Sequence, residues 1–385
     1  MEFIPYGRQN ISQADIDAVT DVLKSDFLTQ GPAVPAFEKV LCDYTGASHA
    51  VAVNSATSAL HIACCALGVG EGDIVWTSPI TFVATSNAAL YCGASIDFVD
   101  IDSETFNMDM NLLEQKLRAA KQENALPKVV IPVHMCGQSA SMRELRELSH
   151  QYGFAVIEDA SHAVGGRYMS QPIGYCEYSD IAIFSFHPVK IVTTAEGGMA
   201  MTNRADLAEK MRLFRSHGVT RDKDTLGKKS EDAWYYEQKE LGFNYRLTDI
   251  QAALGVSQMA RVNDFVSKRN RLADRYDEIL SALPIDLPER SDAVYSAWHL
   301  YVIRLRDGGS KRSEVFAQMR ENGVGVNVHY IPVHRQPYYQ DLGFELGDFP
   351  IAEEYYNKAM SIPLYPQMSE DQQDRVVGLL AQALG

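Results

Sequence analysis

Short runs of apolar residues alternate along the first half of the chain with segments whose apolar residues recur every three or four positions. Runs of the first kind predict strands, and segments of the second kind predict helices. Most of the runs are apolar throughout, as expected of strands buried on both faces of a mainly parallel sheet. The predicted strands lie at 49–53, 73–77, 95–101, 128–133, 154–158, 181–186 and 199–202.

Capping residues indicate where the helices between these strands begin and end. Ser12, followed three positions later by Asp15, predicts the start of a first helix. A second helix is predicted from about Pro35 to Gly46, because glycine readily adopts the left-handed conformation that ends a helix. A third is predicted at 59–67.

The pattern changes after about residue 220. The polar stretch 221–232 predicts a surface loop. Thr248 with Gln251, and Ser369 with Gln372, are capping-box pairs that predict two further helices. The remaining predicted elements are strands at 298–305 and 325–333 and a helix at 312–322.

These elements predict an α/β fold with two domains. Residues 1–247 are expected to form a large domain in which helices flank a mainly parallel central sheet, with the N-terminal segment included. Residues 248–385 are expected to form a smaller C-terminal α+β domain. Ligands of parallel sheets bind at the carboxyl ends of the strands, so the residues that follow each strand are the first candidates for a site.

Charge and composition narrow the classes of function. The 385 residues include 50 acidic and 35 basic side chains, which gives a net charge of −15. Nucleic-acid binders are usually basic, so no nucleic-acid partner is expected. No apolar run is long enough to cross a membrane, and the N-terminus lacks the pattern of a signal peptide, so a cytoplasmic location is expected. The six cysteines show no C-x-x-C pair and are expected to be reduced thiols, with no metal site.

A first candidate site follows the strand at 49–53. In the segment NSATSAL, the residues Ser55, Thr57 and Ser58 stand where a helix begins. The free N–H groups and the positive dipole end of a first helical turn favour a phosphate. Serine and threonine also cap helices that bind nothing, so both interpretations remain open for this segment alone.

A second candidate is Asp159 in the segment EDASH, at the end of the strand at 154–158. A buried carboxylate needs a cationic or hydrogen-bonding partner. Asp159 could therefore serve a ligand or only cap the next turn. His162 follows three residues later, but no third metal ligand lies nearby in sequence.

The third candidate is Lys190 in SFHPVKIVTTAEGG, which begins with Ser185 at the end of a strand. Lys190 lies between Val189 and Ile191. A lysine in apolar surroundings loses solvation and its pKa falls, which makes its amine nucleophilic. Most lysines are merely solvated, and it is the position of this one at the sheet edge that makes it a candidate.

Together these sites place a phosphate cradle, a carboxylate, a hydroxyl and a lysine at one edge of one sheet. Pyridoxal 5′-phosphate requires this set: a lysine that forms an imine with it, a carboxylate that keeps its ring nitrogen protonated, and donors for its phosphate. An aromatic ring usually covers the cofactor, and Phe82 in SPITFVAT is the candidate.

The sequence resembles the fold-type I pyridoxal-phosphate nucleotide-sugar aminotransferases of the DegT/DnrJ/EryC1/StrS type, over essentially the whole chain. The resemblance implies that Lys190 forms the Schiff base and that a member with histidine at this position would not be a transaminase. The segments that carry the resemblance, in the order in which they occur in the family, are GRQNISQADIDAV, SDFLTQGP, VNSATSAL, EDASHA, SFHPVK, EGG, GFNYRLTDIQAALG and NVHYIPVHRQPYY.

The same resemblance implies roles for the other residues of the site. Asp159 matches the partner of the pyridine nitrogen, and Phe82 matches the stacking position. His162 matches a residue near the phenolic oxygen of the cofactor. Phosphate contacts are implied for Thr57, Ser58 and Ser185, and also for Asn244, which would reach the cofactor across a homodimer interface. The sugar-nucleotide pocket is implied to include Tyr6, Phe27, Arg246, His329 and Tyr330.

Within the family, several segments look most similar to the members that serve pseudaminic acid biosynthesis. Those enzymes transfer the amino group of L-glutamate to carbon 4 of a UDP-linked 4-keto-6-deoxy-N-acetylhexosamine. Arg246 would supply the local positive charge that an anionic substrate needs on a protein of negative net charge, since arginine binds a diphosphate or a carboxylate bidentately. Another keto sugar or a keto-inositol remains open as the acceptor, and a non-catalytic cofactor-binding regulator is disfavoured because no basic DNA-binding segment is present.

Overall fold

A computed structural model describes residues 2–222, 226–227 and 232–385. The surface loop predicted at 221–232 therefore lies largely outside the described residues. The helices are α1 (Gln13–Leu23), α2 (Ala33–Thr45), α3 (Ala56–Ala66), α4 (Ala84–Tyr91), α5 (Met110–Glu123), α6 (Met142–Tyr152), α7 (Ala205–Arg215), α8 (Asp249–Met259), α9 (Val262–Leu280), α10 (Arg312–Glu321), α11 (Pro337–Gln340), α12 (Pro350–Lys358) and α13 (Glu370–Leu384).

Fifteen strands accompany these helices in the described part of the chain, several of them only two residues long. They are β1 (His49–Val53), β2 (Ile74–Thr77), β3 (Ser95–Phe98), β4 (Val129–Ile131), β5 (Ala155–Asp159), β6 (Arg167–Tyr168), β7 (Gln171–Pro172), β8 (Ile181–Ser185), β9 (Gly198–Thr202), β10 (Val219–Thr220), β11 (Glu237–Gln238), β12 (Ile285–Asp286), β13 (Val294–Tyr295), β14 (Tyr301–Leu305) and β15 (Ala359–Ile362).

Seven of the strands form the central sheet, in the order β1-β9-β8-β5-β4-β2-β3. All neighbours are parallel except those of β9, which runs antiparallel to both β1 and β8. Every residue of β8 is buried, as the continuous apolar run predicts for a central strand. The predicted α/β fold with a mainly parallel sheet between helices is thus confirmed.

A smaller antiparallel sheet, β12-β14-β15, forms the second layer of the molecule. It shares an apolar core with α9, α10 and α13 that includes Tyr276, Tyr301 and Leu380. The beginning of α9, with Phe265, packs instead into the core on one face of the large sheet, together with α8. The boundary between 247 and 248 stays a prediction.

Local signals predicted several helix ends correctly. Both halves of the capping box are present at Ser12, Thr248 and Ser369. Gly46 ends α2 in the left-handed conformation, with a φ of 83°. In the described residues no helix combines the length and the apolar character needed to span a membrane.

The strand predicted at 325–333 is wrong. Asn327 makes a single antiparallel bridge to Ser361, and the chain then leaves the sheet. Pro332 has no N–H to donate to a strand. The side chains of His329 and Tyr330 bond to Ser361 and His162 instead, so this segment forms part of a cavity wall.

Candidate active site

A cavity of about 480 Å³ opens at the carboxyl ends of the parallel strands. Asp159 is the last residue of β5, Ser185 is the last residue of β8, and Thr57 lies in the first turn of the helix that follows β1. The sheet topology therefore brings together residues that are far apart in sequence. The predicted site residues that line the cavity are Tyr6, Thr57, Phe82, Asp159, His162, Ser185, Lys190, His329 and Tyr330.

Lys190 lies in a turn after β8, where its backbone N–H donates to the carbonyl of His187 at 2.9 Å. The surface that remains exposed on this half-buried side chain faces the cavity that it lines. Burial lowers the pKa of Lys190 to about 8, although the charge of Asp159 acts in the opposite direction. About a tenth of the Lys190 amine is therefore neutral, and so nucleophilic, at pH 7.

Asp159 is 5% exposed and is held from two sides. The hydroxyl of Thr85 donates to Oδ2 at 2.6 Å, and the backbone N–H of Ser161 donates to Oδ1 at 3.1 Å. The backbone of Asp159 extends the sheet, since its N–H donates to Pro132 and its carbonyl accepts from His134. The carboxylate is thus fixed in orientation at the edge of the cavity.

The first turn of α3 forms another wall of the cavity. Ser55 caps the helix by accepting the N–H of Ser58, and Ala56 and Thr57 line the cavity. Gly198 of β9 passes so close that a Cβ there would lie 2.4 Å from the Ser55 carbonyl oxygen. Only glycine allows this approach, which presses the helix end against the sheet.

Ser58 itself lies behind this wall. Its hydroxyl donates to the side chain of Asn54 at 2.7 Å, and its N–H is occupied by the cap. Its predicted phosphate contact stays a prediction.

Three histidines gather on the side of the cavity opposite the helix end. The rings of His162 and His299 are 4.5 Å apart, and His329 donates to or accepts from Ser361 at 2.8 Å. The hydroxyl oxygen of Tyr330 lies 3.0 Å from Nε2 of His162. Among the described residues, no protein group is bonded to the buried Nδ1 atoms of His162 and His299.

Burial sets the protonation of this cluster. It lowers the pKa of His162 and of His299 well below the usual range, and neighbouring positive charges lower them further. The pKa of His329 falls to about 4 for the same reasons. Burial raises the pKa of Tyr330. All four side chains are therefore neutral at neutral pH and can act as hydrogen-bond donors or acceptors toward a ligand.

Besides Ser58, three of the predicted residues lie outside the cavity. Phe27 is 53% exposed, and Asn244 is exposed beside a single backbone bridge to Ser216. Arg246 is half-buried, and its backbone bridges Val53. Within one chain, then, the structure does not bring these three to the other site residues, and their roles stay predictions.

Thr85 and His299 are among the cavity residues that the sequence does not identify. Thr85 lies one helical turn after Phe82 in the segment SPITFVAT. The spacing of the hydroxyl residues along this segment is the signal that could have identified it. His299 precedes β14 of the smaller sheet, and no local pattern distinguishes it from the other histidines. It reaches the cavity only because the two sheets pack together.

Known proteins are similar to this chain over nearly its full length. The model of the DegT/DnrJ/EryC1/StrS aminotransferase family matches residues 9–381. The spore coat polysaccharide biosynthesis protein SpsC of Bacillus subtilis (strain 168) is 40% identical over 97% of this chain and 95% of its own length. A UDP-4-amino-4,6-dideoxy-N-acetyl-beta-L-altrosamine transaminase of Campylobacter jejuni serotype O:2 is 39% identical, over 95% and 93%.

A solved structure extends the similarity to the fold. PseC of Helicobacter pylori, an aminotransferase of pseudaminic acid biosynthesis, superposes with a TM-score of 0.91 at 31% identity. The match covers 100% of this chain and 99% of the other.

The cavity fits the cofactor of this family, pyridoxal 5′-phosphate, in each respect that the structure can test. It holds a lysine with a lowered pKa, a fixed carboxylate and a helix N-terminus, and the buried Nδ1 of His162 lacks a protein partner in the described part of the chain. Its volume lies within the range of about 300–1,000 Å³ that is common for cofactor sites. The chain belongs to the DegT/DnrJ/EryC1/StrS aminotransferase family and is a sugar aminotransferase that uses pyridoxal 5′-phosphate.

Proposed function

We propose that the protein transfers the amino group of L-glutamate to carbon 4 of a UDP-linked 4-keto-6-deoxy-N-acetylhexosamine, a step of pseudaminic acid biosynthesis. The observation that carries the transaminase chemistry is the Lys190 amine, which lines the cavity with a lowered pKa. The choice of sugar is supported by the Campylobacter transaminase and by PseC, whose names state that function for those proteins.

Lys190 carries two roles in this proposal. Its neutral amine would hold the cofactor covalently through the carbonyl carbon of the cofactor. As a free amine, the Nζ of Lys190 would accept the proton from the substrate carbon and later donate it to the product. When bound, pyridoxal phosphate supplies an electron sink that stabilises the negative charge left on that carbon.

The other cavity residues orient the reactants. We assign the Asp159 carboxylate to the ring nitrogen of the cofactor, where a negative charge favours the protonated ring. Thr57 and Ser185 are assigned to the phosphate, His162 to the phenolic oxygen, and Phe82 to the ring face, while Ser58 supports the helix end behind Thr57. Since Thr85 and Ser161 hold both oxygens of Asp159, the carboxylate needs no reorganisation when the cofactor binds.

The sugar nucleotide is assigned to the side of the cavity that Tyr6, His329 and Tyr330 line. Burial raises the pKa of Tyr6, so its hydroxyl is neutral and can donate to a sugar oxygen. Arg246 and Phe27 lie outside the cavity of one chain and are assigned to the outer part of the substrate site. A cation there would hold the diphosphate against the net charge of −15.

We further propose a homodimer in which Asn244 of one subunit completes the phosphate site of the other. Asn244 is exposed and does not reach the cavity of its own chain, as this arrangement requires. Large apolar side chains are exposed on and after α1, including Ile16, Leu23 and Phe27, and would be covered by a partner.

Mixing two inactive variants tests the shared site. Asn244→Ala and Lys190→Ala subunits, unfolded and refolded together, should form heterodimers in which one of the two sites is intact. Activity should then return to a fraction of the wild-type value. Activity that stays at the level of either variant alone contradicts the shared site.

The cytoplasmic location of the protein also stays a prediction.

A second acceptor is favoured by one observation, since SpsC is as similar to this chain as the Campylobacter transaminase is. This candidate is a transaminase that acts on another keto sugar of polysaccharide biosynthesis. It would use the same residues for the cofactor and would differ only in the sugar side of the cavity.

A product assay separates the two candidates. UDP-4-keto-6-deoxy-N-acetyl-altrosamine and its gluco-configured epimer are each offered with L-glutamate, and the configuration of the amino product is read by NMR. Our proposal expects amination of the altro-configured substrate at carbon 4. Turnover of the epimer alone, or of neither sugar by a protein that does react with glutamate, contradicts the proposed acceptor.

A further inference from the structure

Outside the cavity, three side chains that commonly bind metals meet between α3 and α4. They are His61, Cys65 and Cys92, and each offers one ligand atom such that all three atoms lie within 4.8 Å of one another. The two sulfur atoms are 3.7 Å apart. None of the three lines the active-site cavity, and the proposed reaction uses none of them.

The local structure explains why they meet. His61 and Cys65 are four residues apart on α3 and therefore lie on the same face of that helix. Cys92 caps the C-terminus of α4, which packs against α3. The third ligand thus comes from a separate helix, which is why the spacing of cysteines in the sequence predicts no metal site.

The separation of the two sulfur atoms matches that of a tetrahedral zinc site. With zinc–sulfur bonds of about 2.3 Å, tetrahedral geometry places two sulfur ligands about 3.8 Å apart. The observed separation of 3.7 Å agrees with this value. It is far longer than the roughly 2.05 Å of a disulfide bond.

The surroundings of His61 provide a second, independent observation. The hydroxyl of Tyr245 lies 3.1 Å from Nδ1 of His61, which leaves Nε2 as the nitrogen to bind an ion. A histidine that binds a metal nearly always has such a partner on its other ring nitrogen. Rings of Tyr91, Phe243 and Tyr245 surround the imidazole at centroid distances of 4.6–5.9 Å and fix its orientation.

We propose that His61, Cys65 and Cys92 bind a zinc ion, with a water molecule as the fourth ligand. Thiolate and imidazole are the ligands that zinc prefers. His61 is buried, whereas both cysteines are half-buried, so solvent has access to the fourth position. Binding displaces the protons of the two thiols, and the two thiolates then balance the charge of the ion.

The ion would hold α3 and the end of α4 together behind the active site. Its ligands join α3, whose first turn lines the cavity, to the end of α4. Tyr245 connects the site to the segment that carries Asn244 and Arg246, and its carbonyl accepts the N–H of Asn54 at 2.9 Å. Zinc is therefore expected to raise the thermal stability of the protein.

The test uses the reduced holoenzyme after treatment with a chelator. Zn²⁺ is titrated by calorimetry, and Co²⁺ is added separately to detect the thiolate-to-cobalt absorption band. We expect one ion per chain, with loss of binding of at least about 100-fold in both Cys65→Ser and Cys92→Ser. Cys42→Ser changes a thiol outside the cluster and should bind as the wild type does. Tyr245→Phe removes only the partner of His61 and should weaken binding by roughly tenfold.

Two results would overturn the proposal. One is Zn²⁺ binding that both serine variants retain, since the ion would then be held by other residues such as the histidines of the cavity. The other is a reduced wild-type protein that binds no Zn²⁺. In that protein, formation of a Cys65–Cys92 disulfide in air would be detected as the loss of two hydrogens in the mass. The two cysteines would in that case be a redox pair.

Discussion

Two buried carboxylates stand next to each other on β5 and point to opposite faces of the sheet, as successive strand residues do. Glu158 accepts from the Ser179 hydroxyl at 2.5 Å and pairs with Nε2 of His134 at 2.9 Å. The other nitrogen of His134 accepts the N–H of Ala140 at 3.1 Å. Asp159 faces the cavity instead, where the nearby imidazoles retain buried nitrogens without a protein partner in the described structure.

The difference distinguishes a structural polar cluster from a functional one. Burying a polar atom without a hydrogen bond costs about 1–3 kcal/mol, so folded chains rarely leave such atoms unpaired. The Glu158 cluster meets this requirement within the chain. On the Asp159 side, buried nitrogens of His162 and His299 are left for a ligand to bond, which agrees with the position of the candidate active site.

The largest effect is expected from Lys190→Ala, which removes the reacting group from the cavity. The variant should lose at least about 10³-fold in kcat for the glutamate half-reaction, because both the attachment of the cofactor and the proton transfer depend on the amine. Stopped-flow absorbance of the cofactor band measures this rate. A calorimetric scan should show that the variant still folds, since the change removes a buried, poorly solvated amine.

Lys39→Ala is the matched control for this variant. Lys39 is exposed and pairs with Asp43 on the surface, so its loss should leave kcat unchanged. Wild-type turnover by Lys190→Ala would remove the basis of the assigned mechanism.

The comparison on β5 is tested by changing each carboxylate to its amide. Asp159→Asn should lower the kcat of the folded fraction by about 100-fold, because the amide keeps the shape but not the charge that protonates the cofactor ring. Glu158→Gln should instead lower the free energy of unfolding by about 2 kcal/mol while folded molecules keep their activity.

Urea unfolding and the kcat of the folded fraction are measured for both variants. If Glu158→Gln lost activity as strongly as Asp159→Asn at equal folding, the division into a structural and a functional side would be wrong.

The same comparison shows how far a sequence alone can lead. Asp159 and Lys190 could be predicted, because they lie at and shortly after the carboxyl ends of two strands of the mainly parallel sheet, and the topology of such sheets fixes where strand ends meet. His299 could not, since it reaches the cavity through the packing of a second sheet that local patterns do not specify. The strand predicted at 325–333 is not formed, because the side chains of His329 and Tyr330 bond into the cavity wall.

The protonation of Lys190 predicts how cofactor capture depends on pH. Below a pKa of about 8 the amine is mostly protonated and has no free electron pair to attack the cofactor. The rate at which the cofactor-free protein captures pyridoxal phosphate should therefore rise about tenfold per pH unit up to pH 8 and then level off. His329, with a pKa of about 4, does not titrate in this range.

Mixing the cofactor-free protein with pyridoxal phosphate between pH 6 and 10 measures this profile. N-acetyl-lysine methylamide in solution serves as the control and should keep gaining rate up to about pH 10.4. A protein profile that follows the free lysine would show that the cavity does not lower the pKa of Lys190.

The smallest effect is expected from Phe82→Ala, on the open side of the cavity. Phe82 is 60% exposed, and its ring centroid lies 6.3 Å from that of Tyr330. Little of the Phe82 side chain is therefore buried against the rest of the protein. A ring that stacks on the cofactor contributes about 0.5–1.5 kcal/mol, so the variant should raise the Kd of pyridoxal phosphate by roughly fivefold.

Phe82→Trp keeps an aromatic face and should bind as tightly as the wild type. Phe3→Ala, which removes an equally exposed ring elsewhere, should have no effect on Kd measured by fluorescence titration. An unchanged Kd in Phe82→Ala would mean that the exposed ring covers the substrate or a partner subunit and not the cofactor.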